Sequence, residues 1–142
     1  MIELNAVAFA FSEIAEIYTP LTEQFNAYAK KINLDIHLNI NLQSPSNSVI
    51  NVDNYASLIE QLEVKQSPKY DLIFYDTMYS RKFSPYFIDL KKYLPEQHLN
   101  LYASGIANQT CIYNGKWVGL VSFYIYIYIY IYKQFDNYLI II

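Results

Sequence analysis

Cysteine occurs once, histidine twice and glycine three times in this 142-residue chain. The lone thiol, Cys111, excludes an internal disulfide and any cysteine-rich metal site. His37 and His98 lie in unrelated segments, with no His-x3-His or Glu-x-x-His spacing, so no zinc site is expected. Three Gly and five Pro exclude collagen-like and Gly- or Pro-rich disordered classes. Charge is also scarce, at 16% of residues. Ten basic against thirteen acidic side chains give a net charge of −3 with no basic run, which excludes nucleic-acid binding by phosphate neutralisation. Met1-Ile2-Glu3 begins with neither the basic nor the apolar stretch of a secretory signal. Catalytic patterns are missing as well. Cys111 has no paired His, no Gly-x-Ser-x-Gly or phosphate loop occurs, and Glu96 and His98 sit two apart, pointing away from each other on a helix. An enzyme is not expected, nor any cofactor.

What is abundant is apolar: 54% of residues, including sixteen Tyr. A chain of this length can bury roughly 70% of its unfolded surface, enough for one core. Leu4 to Phe11 is a nearly unbroken apolar run, the pattern of a strand buried on both faces. Ile14, Ile17, Leu21, Phe25, Tyr28 and Ala29 recur at three and four, predicting a core-facing helical stripe. Pro20 sets the break, so Thr19 is expected to cap a helix from Pro20 to about Ile32. Leu34 to Leu42 alternates cleanly, with Asp35, His37, Asn39 and Asn41 on the polar face. A Ser-rich loop at 44–48 leads to a helix over 54–65, with Asp53 as its cap and Tyr55, Leu58, Ile59 and Leu62 as its stripe. Tyr70 to Tyr75 reads as another buried strand. Strand, helix, strand, helix, strand argues for an α/β fold, a mostly parallel sheet with flanking helices.

Further on, Phe87 to Leu94 has the look of a short amphipathic helix, and Pro95-Glu96 starts another running to about Ala107. Segments 109–113 and 116–120 flank Asn114-Gly115, a strong two-residue hairpin signal because both residues tolerate positive φ. Trp117 reads as a packing residue of that hairpin. From Tyr124 to Tyr132, Tyr and Ile then alternate without error. Period two gives one aliphatic and one phenolic face, whereas a helix would scatter both types around its axis. Strand or disorder is therefore expected, in an aggregation-prone segment. Such alternation is also what an A/T dinucleotide repeat encodes, so residues 123–142 are read as a low-complexity tail arising from a repeat or frameshift. As a helix, residues 117–132 would reach about 24 Å against a hydrocarbon core of about 30 Å, too short for a span.

Several segments, in order, resemble the N-terminal part of extracellular solute-binding proteins, family 1, which have the type II periplasmic-binding-protein fold. The family's "F-x-x-Y/F" helix motif matches Phe25-Asn26-Ala27-Tyr28, and its "P-D-L/V-x-x-x-D" strand matches Lys69 to Asp76. "L-x-D-L-x-x-Y-L" is met by Phe87 to Leu94, and "Y-x-G-K-x-x-G-L-P" by Tyr113 to Leu120, with Val121 where the proline would stand. The resemblance implies that residues 3–122 are part of lobe one, lacking the second lobe. It implies non-catalytic binding of a small solute, a sugar or peptide, and an extracellular or membrane-associated location. Two alternatives stay open: an ectodomain piece of a membrane receptor, membrane-associated through the tail or a downstream domain, and an inactive truncated product.

In open α/β sheets ligands settle outside the carboxyl ends of the parallel strands. That rule selects Ser12 after strand one, and Asp76 and Tyr79 after strand three. Ser12 would donate to a ligand hydroxyl, Asp76 would accept from sugar hydroxyls, and Tyr79 would stack on a sugar face. Asn108-Gln109-Thr110 is a glycosylation sequon, which makes Asn108 a modification candidate in a secreted protein.

Overall fold

The computed structural model describes residues 1–11, 16–46, 52–103, 106–121 and 127–131. They fall into two compact units, Met1–Ile73 and Phe74–Ile142.

The first unit is built on parallel strands. Strand β1 (Ile2–Phe9) pairs along its whole length with β2 (Ile36–Gln43), from Ile2 opposite Ile36 to Phe9 opposite Gln43. On its other side β1 pairs in parallel with the start of β3 (Leu72–Asp76), Ala6 opposite Leu72 and Val7 opposite Ile73. The order β2-β1-β3 makes β1 central. Residues 6–10 are therefore buried without alternation, as the continuous apolar run predicts. In β2 the expected alternation appears: Ile36 and Leu38 are buried while Asn39 and Asn41 are exposed. Asp71 ties the entry of β3 to β1 twice: its N–H donates to Asn5 O (2.7 Å), and its Oδ2 accepts from Asn5 N (2.9 Å).

Helix α1 (Tyr18–Lys31) follows the expected span, but two details differ. Thr19 lies inside the first turn and does not cap it; its N–H donates to Glu16 Oε2 at 3.0 Å. Glu16 thus satisfies an orphan donor from before the helix, where a negative charge also suits the dipole. Pro20 sits in that same first turn, where its missing N–H costs nothing. The buried residues are Tyr18, Thr22 and Ala29, whereas Leu21 and Tyr28 of the predicted stripe are exposed. The inward face is rotated because Asn26 must reach Leu38 of β2: its Nδ2 donates to Leu38 O (2.9 Å) and its Oδ1 accepts from Leu38 N (2.8 Å).

Helix α2 (Val52–Val64) starts before Asp53, which therefore lies in the first turn and not at the cap. It packs on β1 through Tyr55, whose hydroxyl donates to Val7 O (3.2 Å) and whose ring lies 5.7 Å from Phe9. Burial pushes the Tyr55 hydroxyl well above its ordinary pKa, with Tyr18 and Tyr70 adding to the shift, so it stays a donor. Both helices end in the same way. Asn33 (φ 55°) and Gln66 (φ 50°) adopt the left-handed conformation, with Leu34 N donating to Ala29 O and Ser67 N to Leu62 O. These are Schellman closures made without glycine.

The second unit has an aromatic core. Tyr75 at the end of β3, Phe83 of α3 (Ser80–Phe83) and Phe87 lie 5.4–5.7 Å apart, ring centroid to centroid, and Phe83 is fully buried. The amphipathic helix expected over 87–94 is only a 3-10 turn, Leu90–Lys92, entered through Asp89 in an extended conformation. Pro95 then caps α4 (Glu96–Tyr102), shorter than expected, and α5 (Ile106–Thr110) occupies residues assigned from sequence to the end of that helix and the start of a strand. The hairpin is as expected at its turn: β4 (Ile112–Tyr113) and β5 (Lys116–Trp117) flank Asn114 (φ 48°) and Gly115 (φ 78°). Trp117 is buried. Strand β6 (Leu120–Val121) pairs antiparallel with β7 (Ile127–Ile131), Leu120 opposite Ile129, so this part of the Ile-Tyr tract is a strand. The rest of the tail lies outside the described residues.

Candidate functional site

The carboxyl ends of the parallel strands can be described within each unit. In the first, Ala10 N donates to Gln43 O (2.8 Å), extending the β1–β2 ladder one step past both strands. Beyond it Ser44 is fully buried, its Oγ 2.9 Å from Ser46 Oγ. Gln43 Nε2 donates to Asn41 Oδ1 (2.6 Å) and Asn41 Nδ2 to the Tyr70 hydroxyl (2.8 Å). Phe11 leaves the end of β1 with 73% of its surface exposed, its ring edge-on to Phe9 at 5.2 Å. Such an exposed ring is a ready stacking surface. Ser12, the first of the predicted ligand contacts, lies outside the described residues.

In the second unit, Asp76 closes β3 and is exposed; its Oδ1 accepts from Met78 N at 3.0 Å. The carboxylate thus shapes the turn into the 3-10 segment Thr77–Tyr79. Tyr79 is half-buried, its ring 5.9 Å from Phe83, and Met78 beside it is 69% exposed. Asp76 and Tyr79 therefore stand on one tight turn. Asn108 is exposed on α5, where its sequon ends at Thr110, the last residue of the helix.

A different concavity, about 660 Å³, opens at the amino ends of β1 and β2. Asn26, Lys30, Asn33, Asp35 and His37 line it, and Asp35 pairs with the Met1 amino group at 2.8 Å. Among the described residues no group of three His, Cys, Asp or Glu side chains is placed to hold a metal, and no helix is long and apolar enough to cross a membrane.

No protein-family model and no curated protein matches the chain. Its backbone does match a solved structure, a periplasmic solute-binding protein from Pectobacterium atrosepticum. The TM-score is 0.57 at 19% identity, over 86% of this chain and 28% of that one. The α/β fold of this chain is that of part of a solute-binding protein. The chain spans little more than a quarter of that protein's length. At this identity the likeness concerns the α/β fold and leaves the choice of solute open. The carboxyl ends of the parallel strands, where the crevice rule looks for a ligand, carry Phe11 in the first unit and Asp76 in the second. Phe11 and the Asn41–Tyr70 pair were not anticipated. The apolar run ending at Phe11 held a signal for the first, since a buried strand must surface where its last aromatic leaves the sheet. Nothing local could signal the second, a contact across 29 residues.

Proposed function

We propose that this chain contributes to the non-catalytic binding of a small solute, as a partial first lobe (residues 3–122) of a solute-binding module. The observation that carries this reading is the parallel β2-β1-β3 sheet in a solute-binding fold, with polar and aromatic side chains at its strand ends. In the second unit Asp76 would accept from solute hydroxyls or amines and Tyr79 would offer a ring face; in the first, Phe11 would offer a ring face and Ser12, by sequence position, would donate to a ligand hydroxyl. A sugar or a short peptide fits such a mixture of acceptor and aromatic surface. The same reading puts the protein outside the cytoplasm, where the Asn108 sequon would carry a glycan.

The test is a thermal-shift screen of the folded chain against sugars, amino acids and short peptides. A stabilising solute whose effect is lost in D76A and Y79A is the expected result. A folded sample that no solute stabilises overturns binding by this chain. Expression through a eukaryotic secretory pathway checks the sequon: one glycan on the natural chain, none on N108Q.

A further inference from the structure

The concavity of about 660 Å³ at the amino ends of β1 and β2 lies at the opposite end of these strands from Phe11 and Ser44. Strand β2 alone, at eight residues, separates the two ends by roughly 25 Å. The walls are the last turns of α1, the connection after it and the start of β2, all within the first unit. The Asn26 carboxamide fixes helix to strand, donating to Leu38 O (2.9 Å) and accepting from Leu38 N (2.8 Å).

Lys30, Asn33 and His37 line this space, and each carries a nitrogen donor. Among the described residues none of these three side chains has a hydrogen-bond or ion-pair partner. Asp35 is the one carboxylate in the lining, and the Met1 amino group at 2.8 Å offsets its charge. The positive charge of Lys30 is left uncompensated. Leu34 and Ile36 add an apolar wall. Asn33 carries an independent signal. It closes α1 at φ 55°, where glycine is the unstrained choice. A carboxamide held there gives up stability and places two N–H donors at the rim.

We propose that this concavity binds a small organic carboxylate. Lys30 pairs with its charge, Asn33 and His37 donate to its oxygens, and its short apolar body rests on Leu34 and Ile36. One uncompensated cation matches one negative charge, and a carboxylate offers about four acceptor positions to the converging donors. The site is separate from the carboxyl ends of the strands and does not rest on the solute-binding reading given to them.

The experiment titrates the full chain with sodium butyrate, and with butylammonium chloride as its cationic counterpart, at matched ionic strength while amide chemical shifts are followed. Butyrate should give saturable shifts within residues 27–37, leaving 76–79 unmoved, and butylammonium should give none there. K30Q should weaken butyrate binding about tenfold. N33G should weaken it severalfold while raising the urea midpoint, because glycine relaxes the helix closure. Damage to the fold cannot produce that pair of effects. Butylammonium binding at 27–37 as tightly as butyrate overturns the proposal, and so does K30Q or N33G binding butyrate like the natural chain. Butyrate shifts that do not saturate, or that are confined to 76–79, overturn it as well, and the latter leaves the strand-end reading standing.

Discussion

Asp89 Oδ1 accepts a hydrogen bond from the backbone N–H of Trp117 at 3.0 Å, joining a 3-10 turn to a hairpin 28 residues away in sequence. The same oxygen accepts from Lys91 N at 3.2 Å, and Lys91 Nζ donates to Gly115 O at 3.0 Å. One carboxylate therefore sets both the turn and the hairpin's position. D89A would leave the half-buried Trp117 N–H unpaired, at a cost of ~1–3 kcal/mol. Trp117 is the one tryptophan in the sequence, so its emission should shift to the red in D89A and its unfolding midpoint in urea should fall.

Glu63 provides a pH dependence with a definite sign. It is buried on α2 with Oε2 unpartnered among the described residues, and burial raises its carboxyl from 4.5 to about 7. The folded state thus holds a proton that the unfolded chain releases near 4.5. The contribution to stability is complete below that pH and is lost as pH rises through about 7. Its size is on the order of 2 kcal/mol once partial solvent screening is allowed for. Urea unfolding at pH 5 and pH 8 should show a loss of stability in the natural chain that E63Q largely removes.

Gln66 closes α2 at φ 50°, a conformation that costs an L-residue roughly 1 kcal/mol and glycine almost nothing. Q66G should therefore raise the urea midpoint, by an amount equivalent to ~0.5–1 kcal/mol. The gain is partly offset by the freer unfolded chain. An unchanged or lower midpoint would contradict the role assigned to this closure.

Phe83 is fully buried between Tyr75 and Phe87. F83A should destabilise the second unit by ~3–5 kcal/mol, the usual cost of removing a core phenylalanine. Near-ultraviolet circular dichroism should lose its aromatic signal before the far-ultraviolet signal falls.

The strand–helix–strand order of the first unit was legible in the sequence because each element carries its own period. The two-faced burial of β1 and the alternation of β2 are both direct consequences of sheet position. The inward face of α1 was read only in part. Apolar spacing favours Leu21, Phe25, Tyr28 and Ala29. Ala29 is buried, but Leu21 and Tyr28 are exposed, and with Asn26 bonded to Leu38 the helix turns Tyr18 and Thr22 inside instead. Polar contacts between distant elements leave no local pattern. The expected helix over 87–94 failed similarly, since Asp89 is committed to Trp117 and only a single turn can form behind it. Of the candidate site, Asp76 and Tyr79 were singled out because they follow a strand, and the structure places both on the turn that leaves β3. The use of Asp76 to shape its own turn depends on a backbone angle that residue spacing does not specify.

The pairing of β6 with β7 places Leu120 opposite Ile129 and Val121 opposite Tyr128. Because the tract repeats every two residues, a slide of two positions in either direction brings Leu120 opposite Ile127 or Ile131 with every face unchanged. The tract thus acts as a ruler whose marks are all identical: the ladder fixes which side of the strand faces which way, but not how far along the strand has been drawn. Gain or loss of one Ile-Tyr unit would be invisible to this pairing. Length variation of the tract in whole dipeptides would therefore leave the same residue types opposite Leu120 and Val121.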